Sequence, residues 1–115
     1  MTLFGQQCRK CGHIGFPQQI YGCETCGAYG KMLAPQELEA IGLLISFAEV
    51  HRYQGREIEA PFVIGEIRLQ SGPLLRCTLD QRGESGLYIG AEMCGSLTAP
   101  TGERPSELRF RLARD

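Results

Sequence analysis

Four of the six cysteines fall in two copies of one short pattern. Cys8-Arg9-Lys10-Cys11-Gly12 is followed, after residues 12–22, by Cys23-Glu24-Thr25-Cys26-Gly27. Two Cys-x-x-Cys-Gly units on a short spacer suit a four-thiolate metal site. Zinc takes four soft ligands in a tetrahedron, and each Cys-x-x-Cys turn supplies two sulfurs on one side of it. A knuckle turn aims backbone N–H groups at the sulfurs, and Gly12 and Gly27 are free to take the positive φ that such a turn needs. One unit alone would equally fit a redox motif, so the duplication makes the pattern specific. A pair of disulfides or a dithiol redox centre is the competing reading, and iron is admitted by the same ligands. A catalytic zinc keeps an open position, whereas four cysteines close the tetrahedron, so the expected role is structural. His13 lies close to Cys11 and is a rival ligand, but four thiols suffice.

Residues 1–34 read as the metal-binding module. Its apolar side chains are few, mainly Leu3, Phe4, Ile14, Phe16, Ile20, Tyr21, Tyr29, Met32 and Leu33. A unit of this size buries too little surface to fold unaided. Metal binding would make up the deficit, with apparent free energies of about 10–16 kcal/mol for structural zinc near neutral pH. Residues 13–21 suit a short hairpin between the knuckles, with Pro17 near its turn. Residues 34–38 read as the hinge between modules, with a linker at 35–41, because Pro35 should break a strand. A short helical turn over residues 36–41 would be limited by Gly42.

From residue 42 to residue 115 the pattern is β. Residues 43–53 are mostly apolar and rich in β-formers. In residues 62–69, Val63, Ile67 and Leu69 share one face at period two. Leu75, Cys77 and Leu79 alternate with Arg76, Thr78 and Asp80. Leu87, Ile89, Ala91 and Met93 alternate with Tyr88, Gly90 and Glu92. Leu108, Phe110 and Leu112 alternate with Glu107, Arg109 and Arg111. Turn signals separate these runs at Gln54-Gly55, Ser71-Gly72-Pro73, Arg82-Gly83-Glu84-Ser85-Gly86 and Thr101-Gly102-Glu103. Five one-faced strands in about seventy residues predict a small closed or nearly closed barrel, and a five-stranded OB-type Greek key fits the count. A small two-sheet sandwich is the alternative.

The chain has 115 residues, 43% of them apolar and 22% charged, as expected of a folded chain. Twelve basic and thirteen acidic residues give a formal net charge of −1. That balance provides no global attraction to nucleic acid or anionic lipid. Residues 1–7 lack a basic-then-apolar signal pattern, and no apolar run is long enough to span a bilayer. A cytoplasmic location is expected, where thiols stay reduced and open to a metal.

These residues together resemble the acyl-CoA-associated zinc-ribbon/OB-fold proteins. The resemblance rests on the two Cys-x-x-Cys-Gly units and on Gly15-Phe16-Pro17 between them. It continues through Ile45-Ser46-Phe47-Ala48-Glu49-Val50-His51-Arg52, Ala60-Pro61-Phe62-Val63-Ile64-Gly65 and Leu87-Tyr88-Ile89-Gly90. It covers nearly the whole chain. The fold it implies is all-β, a rubredoxin-like zinc ribbon followed by a five-stranded OB-fold barrel. The role it implies is that of a non-catalytic partner of a thiolase-like catalytic subunit, as in benzoylsuccinyl-CoA thiolase, with a coenzyme A thioester shared between the two.

The residues themselves argue separately against a free-standing enzyme. The only histidines are His13 and His51, and no Ser-His-Asp order, phosphate loop or paired-carboxylate motif stands out. Cys77, on the apolar face of its strand, reads as a small hydrophobe, and Cys94, of opposite parity to Met93, reads as exposed. His51 with Arg52 reads as a structural or interface pair. Arg9, Lys10 and Lys31 form a local basic cluster that could meet a coenzyme A phosphate, although solvated surface charge is the plainer account. Single-stranded nucleic acid is the rival ligand, since ribbons and OB barrels both serve there. That mode wants a basic groove with stacking aromatics, whereas Phe47, Tyr53, Phe62, Tyr88 and Phe110 read mostly as core. A docked accessory chain should also expose an apolar patch on one barrel face.

Overall fold

The first strand, β1 (Thr2–Cys8), ends on the first cysteine, and the knuckle that follows turns the chain back on itself. The computed structural model describes residues 1–51, 61–81, 83, 85–100, 102 and 105–113. After the knuckle, β2 (Ile14–Gly15) pairs antiparallel with β1 through Gln6↔Gly15 and Gln7↔Ile14. The hairpin therefore wraps the first knuckle rather than lying between the two, as residues 13–21 led us to expect. The knuckle is itself the reversing turn, and Pro17, with no N–H to give a ladder, follows just after β2. A single 3-10 turn (Gly30–Met32) leads into β3 (Leu33–Glu39), which pairs with β1 from Thr2↔Glu39 to Cys8↔Leu33.

The expected hinge is not a hinge. Residues 35–39 belong to β3, and Ile41 opens β4 (Ile41–Val50), so neither a linker at 35–41 nor a helical turn over 36–41 is present. β3 is an edge strand of the sheet order β2-β1-β3, and an edge tolerates Pro35. Ala40, the one residue between β3 and β4, is bonded on both sides. Its N–H donates to the Met1 carbonyl at 2.9 Å, and its carbonyl accepts from the Gly95 N–H at 2.8 Å. One residue thus ties the ribbon to the second sheet.

That sheet adds β5 (Phe62–Leu69), β6 (Leu74–Thr78), β7 (Glu92–Leu97) and β8 (Leu108–Leu112), in the order β6-β5-β4-β7-β8. A bulge between Leu44 and Ser46 bends β4, which pairs with β7 only over residues 41–43 but with β5 as far as Val50↔Phe62. The outer strands meet through a parallel bridge, Leu79↔Phe110, and the Asp80 N–H donates to the Phe110 carbonyl at 2.8 Å. A single sheet curled so that its ends touch is barrel-like, as expected, and is not the two-sheet sandwich of the alternative.

Val63, Ile67 and Leu69 face inward as the period-two pattern predicts, and with Leu44, Leu79, Ala91, Met93 and Phe110 they are fully buried. Leu3, Leu38 and Ala40 of the ribbon side join the same core, so the metal module and the barrel share one interior. The expected fourth strand over residues 87–93 begins later, at Glu92. Gly86 and Gly90 take φ of 84° and 92°, which makes residues 85–90 a turn and leaves Tyr88 and Ile89 in solvent. Of the aromatics read as core, Phe62 and Phe110 are buried and Phe47 packs against the core, but Tyr88 is exposed. Arg52, Tyr53, Gln54, Gly55, Ala60, Arg82, Glu84, Thr101 and Glu103 lie outside the described residues. No helix among the described residues is long and apolar enough to cross a membrane.

Candidate metal centre

The two knuckles repeat one set of hydrogen bonds. Cys8 donates its N–H to the His13 carbonyl at 2.8 Å and accepts the Gly12 N–H at 2.8 Å. Cys23 donates to the Ala28 carbonyl at 2.7 Å and accepts the Gly27 N–H at 2.9 Å. Gly12 and Gly27 have φ of 83° and 76°, the left-handed conformation expected of them. The N–H groups of Cys11 and Lys10 reach the Cys8 sulfur, and those of Cys26 and Thr25 reach the Cys23 sulfur.

The sulfurs of Cys8, Cys11, Cys23 and Cys26 all lie within 4.8 Å of one another. The near pairs cross between knuckles, Cys8 to Cys26 at 3.6 Å and Cys11 to Cys23 at 3.5 Å. A tetrahedron with metal–sulfur bonds of about 2.3 Å has edges of about 3.8 Å, close to these spacings. A disulfide would need about 2.05 Å, and all six cysteines are free. The donor set and geometry therefore fit one tetrahedral metal ion with no protein ligand position left over. Cys8 and Cys23 are buried, whereas Cys11 faces solvent.

The electrostatics fit a cation as well. The Cys8 thiol is lowered, first by the Cys11 amide, and Cys23 is pulled down to about 6 by the amides of Cys26 and Thr25. Cys11 receives the His13 amide, which lowers it, yet desolvation and the three neighbouring thiols push it up to about 12. Four thiols this close resist ionising together without a positive ion between them. Metal binding must therefore displace protons, and affinity should fall as the pH is lowered.

His13 is half-buried with its Nε2 3.9 Å from the Glu24 carboxylate, and its ring is outside the converging group. Two glutamines that sequence reasoning passed over hold the second knuckle in place. The Gln19 side-chain oxygen accepts the N–H groups of Tyr21 and Gly22 at 2.6 and 3.0 Å, and its amide nitrogen donates to the Gly22 carbonyl. The Gln6 side-chain oxygen, in a buried residue, accepts the Gln19 N–H at 3.0 Å. The signal in the chain is a pair of glutamine doublets, Gln6-Gln7 and Gln18-Gln19, one on either side of the first knuckle.

The other candidates add no ligand to the cluster. The Arg9 N–H donates to the Met32 carbonyl at 2.7 Å, which brings the backbone of the first knuckle against the residue after Lys31, and Arg9, Lys10 and Lys31 are all exposed. His51 is exposed with its Nε2 3.3 Å from Glu49. Cys94 is half-buried rather than exposed, opposite Ile41 on one side and Arg111 on the other, a basic neighbour that no local reading could supply. Cys77 packs against the core, and burial pushes its thiol up to about 11. It should be alkylated far more slowly at pH 7 than a cysteine of the unfolded chain, as timed thiol labelling with mass detection would show. Because its folded pKa lies above the ordinary thiol value of 9.0, the stability it confers is complete below that pH and is lost towards about 11.

No family model matches the sequence, and no curated protein matches it at a significant level. Solved structures do share its fold. One is described as the Ltp2–ChsH2(DUF35) aldolase, similar over 96% of this chain and 84% of that one, with a TM-score of 0.79 and 22% identity. Another is a DUF35-family protein of unknown function from Sulfolobus solfataricus, similar over 96% of this chain and 75% of that one, with a TM-score of 0.62 and 21% identity. The chain thus has the fold of DUF35 proteins.

Proposed function

We propose that this chain is a zinc-binding accessory subunit of a thiolase-type, acyl-CoA-processing enzyme, without catalytic activity of its own. The observation that carries the reading is the shared fold, over nearly the full chain, with a structure whose description pairs a DUF35 chain with a second protein in an aldolase. Aldolases and thiolases both make and break carbon–carbon bonds, and a partner of that chemical class is what the reading requires. Benzoylsuccinyl-CoA thiolase is one such enzyme, and in it this chain would be the small subunit.

Within that complex the four thiolates would hold one structural zinc ion, which locks the knuckles and supplies no open coordination position. The chain's own residues do the rest. Gln6 and Gln19 fix the second knuckle, and Ala40 joins the ribbon's sheet to the barrel through Met1 and Gly95. Arg9, Lys10 and Lys31 on the ribbon rim would meet the phosphates of a coenzyme A thioester held mainly by the catalytic subunit.

Co-expression with a thiolase-type catalytic subunit encoded beside it tests the reading. The two chains should co-purify, and the isolated chain should show no thiolase activity. Acyl-CoA turnover by the lone chain, or assembly of a fully active catalytic subunit without it, would overturn the assignment.

One observation favours a second reading, single-stranded nucleic acid. Tyr21 and Tyr29 stand 90% and 75% exposed on the module that carries the basic cluster, an arrangement suited to base stacking. Such binding would weaken steeply with salt, so absence of oligonucleotide affinity at low salt removes it.

A further inference from the structure

β4 is apolar on both faces. Gly42 and Leu44 turn into the core, while Ile41, Leu43 and Ile45 point outward and stand 44%, 47% and 40% exposed. A strand with one wet face normally alternates apolar with polar residues, and a strand apolar on both faces is one that something covers. β4 is also the central strand of its sheet, so this stripe lies in the middle of an outer wall rather than at a frayed edge.

The alternation of buried and exposed positions runs unbroken back through Ala40 into β3, where the outward positions are Glu37 and Glu39. Glu92, opposite Leu43 on β7, is a third exposed acid. Among the described residues none of the three makes an ion pair. Arg68, opposite Leu43 on the other flank, donates instead to the Gly72 carbonyl at 3.0 Å. An aliphatic stripe with unneutralised acids at its ribbon end asks for an apolar surface bordered by basic side chains.

Resting on the accessory-subunit reading, we infer that the outward face of residues 37–45 is the docking surface for the catalytic subunit. The partner would lay an apolar strip over Ile41, Leu43 and Ile45 and set Lys or Arg side chains against Glu37 and Glu39. Desolvated aliphatic residues at the centre would supply most of the affinity, and the acids would govern the rate and salt dependence of association.

The test uses the full chain co-expressed with the catalytic subunit, followed by affinity measurement on the separated, recombined proteins. Leu43→Arg should weaken binding by at least roughly thirtyfold. Glu37→Lys with Glu39→Lys should weaken it by about tenfold, chiefly at low salt, and these exposed positions guard against an effect of misfolding. Tyr88→Ser, in the turn before β7, should leave affinity unchanged, and retained metal content should confirm that each variant is folded. A complex that forms and is indifferent to both sets of changes overturns this surface while leaving the accessory role standing. Failure to form any complex overturns both. A self-associated chain that Leu43→Arg makes monomeric would mean that a second copy, not an enzyme, covers the stripe.

Discussion

Replacing Cys8 by serine should abolish metal binding and unfold the ribbon. Cys8 is almost fully buried, closes the tetrahedron opposite Cys26, and is the last residue of β1. A serine hydroxyl is a poor ligand where three thiolates have set a soft site, and the ion would lose its closed shell. Metal binding in such modules is folding free energy, on the order of 10 kcal/mol, and the apolar content of residues 1–34 cannot replace it. The damage should spread, because β1 pairs with β3 along its length and Leu3, Leu38 and Ala40 lie in the core shared with the barrel. The metal content should fall from one equivalent to near zero. A loss of several kcal/mol would lower the melting temperature by more than about 15 °C in a chain of this size. Elemental analysis with thermal melting followed by circular dichroism checks both. Cys94→Ser, at a half-buried position away from the cluster, should keep the metal.

Phe110→Ala should cost the barrel about 3–5 kcal/mol. Its side chain is among the largest that are fully buried, and its backbone forms the bridge to Leu79 that brings β8 against β6. A Cβ built on Gly95 would already stand 3.2 Å from the Phe110 ring, so the ring is packed tightly against β7. Denaturant unfolding should show the midpoint falling sharply. Arg109→Ala, next in sequence, removes only the surface pair with Glu107 at 2.6 Å, which should be worth about 0–1 kcal/mol. An unchanged midpoint in Phe110→Ala would mean that the sheet does not close where the Leu79 bridge places it.

The features legible from sequence were those written locally. The knuckle cysteines and Gly12 and Gly27 form a pattern whose chemistry is contained in five residues at a time. The inward set of β5 and the Leu108, Phe110, Leu112 set of β8 follow from period two alone. What escaped depended on contacts between distant residues. Pro35 is a strand breaker unless the strand is an edge, and only pairing with β1 reveals that it is. Ala40 looks like linker until Met1 and Gly95 are seen on either side of it. The alternation from Leu87 to Met93 resembles a strand, but Gly86 and Gly90 turn the backbone and leave Tyr88 outside. Gln6 and Gln19 meet only because the first knuckle folds β2 back on β1, and Arg111 stands opposite Cys94 only through a strand pair.

The proposed role is that of a docking subunit built on a closed four-thiolate metal clamp, not of a catalyst. Native mass spectrometry of the chain co-expressed with its thiolase-type neighbour tests it most directly. The expected result is a hetero-oligomer carrying one zinc ion per copy of this chain, with both the zinc and the complex lost in Cys8→Ser. A metal-free chain, with Cys8, Cys11, Cys23 and Cys26 modified or bonded independently of one another and no partner retained, would contradict it.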